Sequence, residues 1–156
     1  MDRLGLLGAL RPGDEHLRAS SLVGIQRSRR ALGEISPQAA ERYLEVALRM
    51  AVRQELALFE AETRVELGNV LTDQFRYGEA LAQHRRALDV ARRAGEVNYE
   101  ADFRHDYATT LLRSGDRPAA RAEFERSLAV ARSRRQPYAV ARATASLAGC
   151  GVTLPG

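Results

Sequence analysis

Apolar residues recur three and four positions apart along most of the chain. The pattern shows in Ala40, Leu44, Ala47 and Ala51, again in Ala80, Ala87, Leu88 and Ala91, and again in Ala120, Phe124, Leu128 and Ala131. That is the period of an amphipathic helix with one face turned to a core. Turn residues interrupt the pattern at intervals. Ser114-Gly115-Asp116-Arg117-Pro118 separates two apolar-periodic stretches and places Pro118 in the first turn of the second, where its missing N–H costs no intrahelical bond. Gln74-Phe75-Arg76-Tyr77-Gly78 and Glu34-Ile35-Ser36-Pro37 do the same earlier in the chain. Between these pairs, Ala94-Gly95-Glu96 supplies a Gly for a left-handed cap, and Arg134-Arg135-Gln136-Pro137 a Pro that blocks continuation. The pattern predicts a series of helical hairpins and an all-α fold.

The hairpins repeat. Laying Glu60-Ala61-Glu62-Thr63-Arg64 over Glu100-Ala101-Asp102-Phe103-Arg104 sets an offset of 40 residues, and the same register then pairs Leu71 with Leu111, Ala80 with Ala120 and Ala91 with Ala131. One step backwards pairs Ala40, Ala47 and Ala51 with Ala80, Ala87 and Ala91. One step forwards pairs Ala141, Leu147 and Ala148 with Ala101, Tyr107 and Ala108. A fixed internal period of this size is the mark of a solenoid. The expected organisation is an N-terminal cap or flexible segment at 1–19, a repeat domain at 20–150 and a tail at 151–156. The repeat domain divides into units at 20–56, 60–95 and 100–134, with a half unit at 138–150.

Inside each hairpin the small and large positions resemble the tetratricopeptide repeat, whose pattern asks for Leu-Gly, a large residue, Ala, an aromatic and Ala. The second unit reads Leu67, Gly68, Leu71, Ala80, His84 and Ala87; the third reads Tyr107, Ala108, Leu111, Ala120, Phe124 and Ser127. The resemblance covers about 60–134. In the first unit Ala40, Leu44 and Ala47 fit the second helix, while Arg27 and Ser28 stand where Leu-Gly is expected. The unit is longer than the usual period of about 34 residues, and is similar to the long variety found in sensor regions of bacterial transcriptional activators and signalling ATPases. The resemblance implies a right-handed solenoid of antiparallel helical hairpins, about three plus a final helix. It also implies a cytoplasmic, non-catalytic module that binds a protein or peptide. The alternatives are a ligand-responsive regulatory domain and a self-assembling structural repeat.

By the same resemblance, the first helix of each hairpin lines a concave groove. The groove-facing positions are Glu62, Val65, Glu66, Asn69, Thr72 and Asp73, then Asp102, His105, Asp106, Thr109, Leu112 and Arg113; five of the twelve are acidic. A basic clamp for a peptide's C-terminal carboxylate would need Lys or Arg where Val65 and Asp106 stand. The expected partner-binding residues are therefore Glu62, Glu66, Asn69, Asp73, Asp102, His105, Asp106, Thr109 and Arg113, and the expected partner is a protein or peptide with a basic segment. The ordinary account of the same acids is that they complement the helix macrodipole, as Arg92, Arg93 and Arg132 do at the far ends of second helices.

Charge and composition narrow the field. The net charge is +4, and all 24 basic residues are Arg, spread over the chain rather than gathered into an arm, which disfavours nucleic acid as a partner. A single Cys150 excludes an internal disulfide. No stretch reaches the roughly 20 apolar residues of a membrane span. The short apolar run from Met1 to Leu10 is broken by Gly5 and Gly8. His16, His84 and His105 have no metal-ligand spacing, His84 falls at the interior aromatic position, and Cys150 has no neighbouring base, so neither cofactor nor metal is expected. The last helix carries one charge between Tyr138 and Ala148, yet solenoid ends need a polar cover. That implies a contact there, a homo-oligomer through the C-terminal helix being one form of it.

Overall fold

A computed structural model describes the backbone of residues 15–151 and the side chains of 21–151. Seven helices run through this span: α1 Glu15–Ala31, α2 Pro37–Arg53, α3 Ala57–Asp73, α4 Tyr77–Ala94, α5 Glu100–Arg113, α6 Arg117–Ser133 and α7 Pro137–Gly149, with a single 3-10 turn, Val97–Tyr99, before α5. Of the cap or flexible segment expected at 1–19, only the part from Glu15 lies within the described residues, as the start of α1; the expected tail lies outside them after Gly151. The helices start where the turn chemistry places them. Ser36 Oγ accepts the Ala39 N–H (3.2 Å) and Asp116 Oδ1 accepts the Ala119 N–H (3.1 Å), with Pro37 and Pro118 in the first turns.

Helices α1 to α6 all end in one way. An N–H reaches back to the carbonyl five residues earlier, from Glu34, Leu56, Arg76, Glu96, Asp116 and Gln136, at 2.8–3.0 Å. The residue before each is left-handed: Gly33, Glu55, Phe75, Gly95, Gly115 and Arg135, with φ between 55° and 94°. This is the Schellman cap, and it turns the chain back on itself.

The helices form two rows. Partners α3–α4 and α5–α6 pack as antiparallel hairpins, and α2–α3, α4–α5 and α6–α7 join one hairpin to the next. Along the first helices, α1 touches α3, α3 touches α5 and α5 touches α7, whereas no such contact links α2 with α4 or α4 with α6. The second-helix row therefore fans apart and the first-helix row closes up, which makes the first-helix side the concave one. The described chain is an all-α helical repeat solenoid.

Small residues set the spacing within a hairpin. A Cβ added to Gly68 would lie 2.7 Å from the His84 ring, so α3 and α4 cross as closely as backbone and ring allow. In the next hairpin Ala108 and Phe124 share one core cluster with Leu111, Ala120 and Leu128. The first hairpin departs from this. Five residues, Leu32 to Ser36, join α1 to α2, against three in the later hairpins. Gly33 carries the left-handed cap that Phe75 and Gly115 carry later. Counting back from that cap, Ile25 and Gln26 stand where Leu67-Gly68 and Tyr107-Ala108 stand, rather than Arg27 and Ser28 as an ungapped register predicts. A buried Gln26 takes the small position, and α1 packs more closely on α3 than on α2.

Non-glycine residues at left-handed caps are strained by roughly 1 kcal/mol each. Arg135→Gly is expected to raise unfolding stability by about 0.5–1 kcal/mol and Gly95→Ala to lower it by about 1 kcal/mol, read as shifts of the urea midpoint at constant slope.

Candidate functional site

Closure of the first-helix row brings charged side chains from successive hairpins within reach of one another. Glu66, on α3, is 1% exposed and lies beneath two arginines of α1. Arg27 Nε reaches its Oε2 at 2.9 Å and Arg30 Nη2 its Oε1 at 3.0 Å. Arg30 also binds Asp73, whose other oxygen takes Arg113 of α5 at 2.7 Å. Farther along, Arg142 of α7 bridges Asp106 at 2.7 Å and Asp102 at 3.1 Å. Asn69 Nδ2 donates to Asp106 at 3.3 Å and to Glu66 at 3.5 Å, linking the two groups. All of these pairs except Asn69–Glu66, which lies within α3, join different units, so the network ties α1, α3, α5 and α7 together.

A polar cavity of about 290 Å³ opens on this face. Asn69, Asp73, His105, Asp106, Thr109 and Arg113 line it, together with Arg30 and Arg142. Thr72 and Thr110, buried and bonded hydroxyl to hydroxyl at 2.8 Å, close its floor. His105 Nε2 meets Ser146 Oγ at 2.8 Å, and its ring packs edge-on against Phe124. Glu62, Glu66 and Asp102 are outside the lining. Val65, expected to face the groove, is instead in the core beside Ala61, Ala87 and Phe103.

The electrostatics differ from what the acids alone imply. Against Glu62, Glu66, Asp73, Asp102 and Asp106 stand Arg27, Arg30, Arg113 and Arg142, which leaves the face almost balanced. Two of the acids lie deeper than the arginines over them: Asp106 is 15% exposed beneath Arg142 at 34%, and Glu66 1% beneath Arg27 at 54%, whereas Asp102 is more exposed than Arg142 and Asp73 more exposed than Arg30. Burial alone would push the Asp106 carboxyl up. His105, with Nδ1 3.7 Å away, Arg142 and Asn69 outweigh it and hold the group at about 2. Burial lowers the Arg27 pKa, and Glu66, with weaker pulls from Asp106 and Glu62, more than restores it; burial raises Tyr99, and Glu62 adds to that rise. Arg142 was legible in the sequence, since it takes the place of Glu62 and Asp102 in the half unit. Arg30 was not, because the longer first turn shifts the register of α1.

A family model described as tetratricopeptide repeat matches residues 59–133, which span α3 to α6 with their crossing pattern of small and large residues. Residues 59–133 are tetratricopeptide repeats. No curated protein matches the chain. Tetratricopeptide repeats are typically non-catalytic modules that bind proteins or peptides. Among the described residues no helix is long and apolar enough to cross a membrane, and no group of His, Cys, Asp or Glu is placed to hold a metal ion.

One repeat carries a histidine at its interior aromatic position. His84 is fully buried, with Nε2 3.0 Å from Thr110 Oγ1. Thr72 Oγ1 donates to the Gly68 carbonyl (2.8 Å) and so accepts from Thr110, which must then accept from His84. This one-way chain assigns the proton to Nε2 and leaves Nδ1 without a partner. Protonating Nδ1 would bury an unpaired cation. Burial accordingly lowers the His84 pKa to about 4, against a smaller opposing pull from Asp106.

Two outcomes are expected. Arg30→Met leaves the buried Glu66 carboxylate under-compensated and lowers stability by about 3 kcal/mol, while the double variant Arg30→Met, Glu66→Met recovers most of the loss in a denaturation cycle. A folded-state pKa below the unfolded value means that stability is full above pH 6.5 and is lost as pH falls from there toward 4. His84→Phe, which copies Phe124, should remove about 3 kcal/mol of that pH dependence when unfolding is followed between the two limits.

Proposed function

We propose that the chain holds an extended segment of a partner protein along the concave face, without catalysis. Asn69, Asp73, Asp102, His105, Asp106, Thr109 and Arg113 make the contacts, and Glu62 and Glu66 hold the α1 arginines in place behind them. The observation that carries this reading is the polar cavity at the centre of the first-helix row, where hydrogen-bonding groups of α1, α3, α5 and α7 converge. Near-balance of charge revises the chemistry of the partner. A purely basic segment would have to displace Arg142 from Asp102 and Asp106, exchanging one ion pair for another with little gain. A polar segment with both donors and acceptors, read by directional hydrogen bonds, fits the face better.

Peptides selected from a random display library on the wild-type chain test this. Asn69→Ala and Arg113→Ala, checked for unchanged helicity, should each weaken the selected peptides by about tenfold. Arg86→Ala, on the exposed side of α4, should not. Raising salt from low to roughly half-molar should weaken binding by no more than about threefold. Equal affinity of all three variants would overturn the concave-face reading; a steep salt dependence would restore a basic partner.

A further inference from the structure

Helix α7 has the small-residue face of a first helix, and none of the described residues covers it. In the two complete hairpins this face is covered by the second helix. On α3, Ala87 and Ala91 of α4 pack over Ala61 and Val65, and the His84 ring over Gly68. On α5, Ala131 clusters with Ala101, Phe124 packs on His105 and clusters with Ala108, and Ser127 Oγ donates to the Ala101 carbonyl at 2.7 Å. Ala61, Val65, Ala101, His105 and Ala108 are all buried in consequence. The same register on α7 is Ala141, Ala145 and Ala148, and all three are exposed, with Tyr138 beside them 77% exposed.

We propose that this face is the docking site for an amphipathic helix of a partner protein, seated as α4 and α6 are seated on the helices before them. The hairpins define its core stripe: small, ring, small, small, as in Ala80, His84, Ala87 and Ala91, or Ala120, Phe124, Ser127 and Ala131. The surroundings define its charge. An open cavity of about 540 Å³ adjoins the face, lined by Pro137, Val140 and Ala141 and rimmed by Arg132 and Arg135. Neither arginine has an ion pair among the described residues. In the hairpin geometry the C-terminal end of the covering helix lies over the start of α7, as Ala131 does over Ala101, so that end of the partner helix carries carboxylates.

The probe is a synthetic peptide of residues 116–134 with Arg132→Glu and Arg134→Glu, labelled at its N-terminus and titrated with the full chain by fluorescence anisotropy. It should bind, and more tightly than the unaltered 116–134 peptide. Ala141→Arg and Ala148→Arg in the full chain, both at exposed positions and checked by circular dichroism, should each weaken it by about tenfold or more. Three results would overturn the proposal. They are failure of both peptides to bind, equal binding to the Ala148→Arg chain, which would mean exchange with resident α6, and a dimer in sedimentation equilibrium that Ala148→Arg abolishes, which would mean that a second copy covers the face. None of these bears on the concave cavity, so the two readings stand or fall separately.

Discussion

Two helices cross closely only where one of them presents almost no side chain, and this constraint organises the molecule. Where Gly68 meets the His84 ring there is no room for a single methyl group, and Ala108 meets Phe124 in the corresponding place. Tight hairpins repeated at one spacing bring the first helices into a continuous row while the second helices spread. The two departures from the rule are informative in opposite directions. Gln26 takes the small position of the first hairpin, whose two helices pack sparsely, and Ala148 keeps the position small but meets no ring among the described residues.

The concave face follows from that row. Because α1, α3, α5 and α7 lie side by side, an acid on one unit is met by an arginine of a neighbouring unit, with Glu66 and Asp106 buried beneath their guanidiniums. Buried pairs of this kind add little net stability against apolar residues of the same size, but removing one partner is costly. Their larger effect is geometric. Each bridge spans two units, so the curvature of the row and the state of the bridges are coupled, and a bound segment that rearranged one would act on the other.

The buried polar chain from His84 through Thr110 and Thr72 to the Gly68 carbonyl joins α4, α5 and α3 directly beneath the cavity. Every hydroxyl in it is used in one direction, which fixes the imidazole as neutral with its proton on Nε2. A phenylalanine would fill the space, as Phe124 does one unit later. The histidine adds a directional tie between helices, and in exchange the fold becomes sensitive to acid as the pH falls below 6.5.

The residues alone determined a good deal. Periodicity, Pro and Gly placement and self-alignment specify helices, turns and a repeat, because these depend on local backbone preference and on which positions are apolar. The small–ring pattern at Gly68 and His84 identifies the crossing. Asn69, Asp73, His105, Asp106, Thr109 and Arg113 reach the cavity because a helix carries its face wherever it goes. The tertiary structure alone decided the sign of that face and the register of α1. Charge balance depends on arginines 36 to 43 residues away from the acids they cover, and a two-residue extension of one turn rotates α1 by slightly more than half a helical turn relative to the ungapped alignment. Sequence spacing assigns residues to faces; which faces meet is settled only when the helices pack.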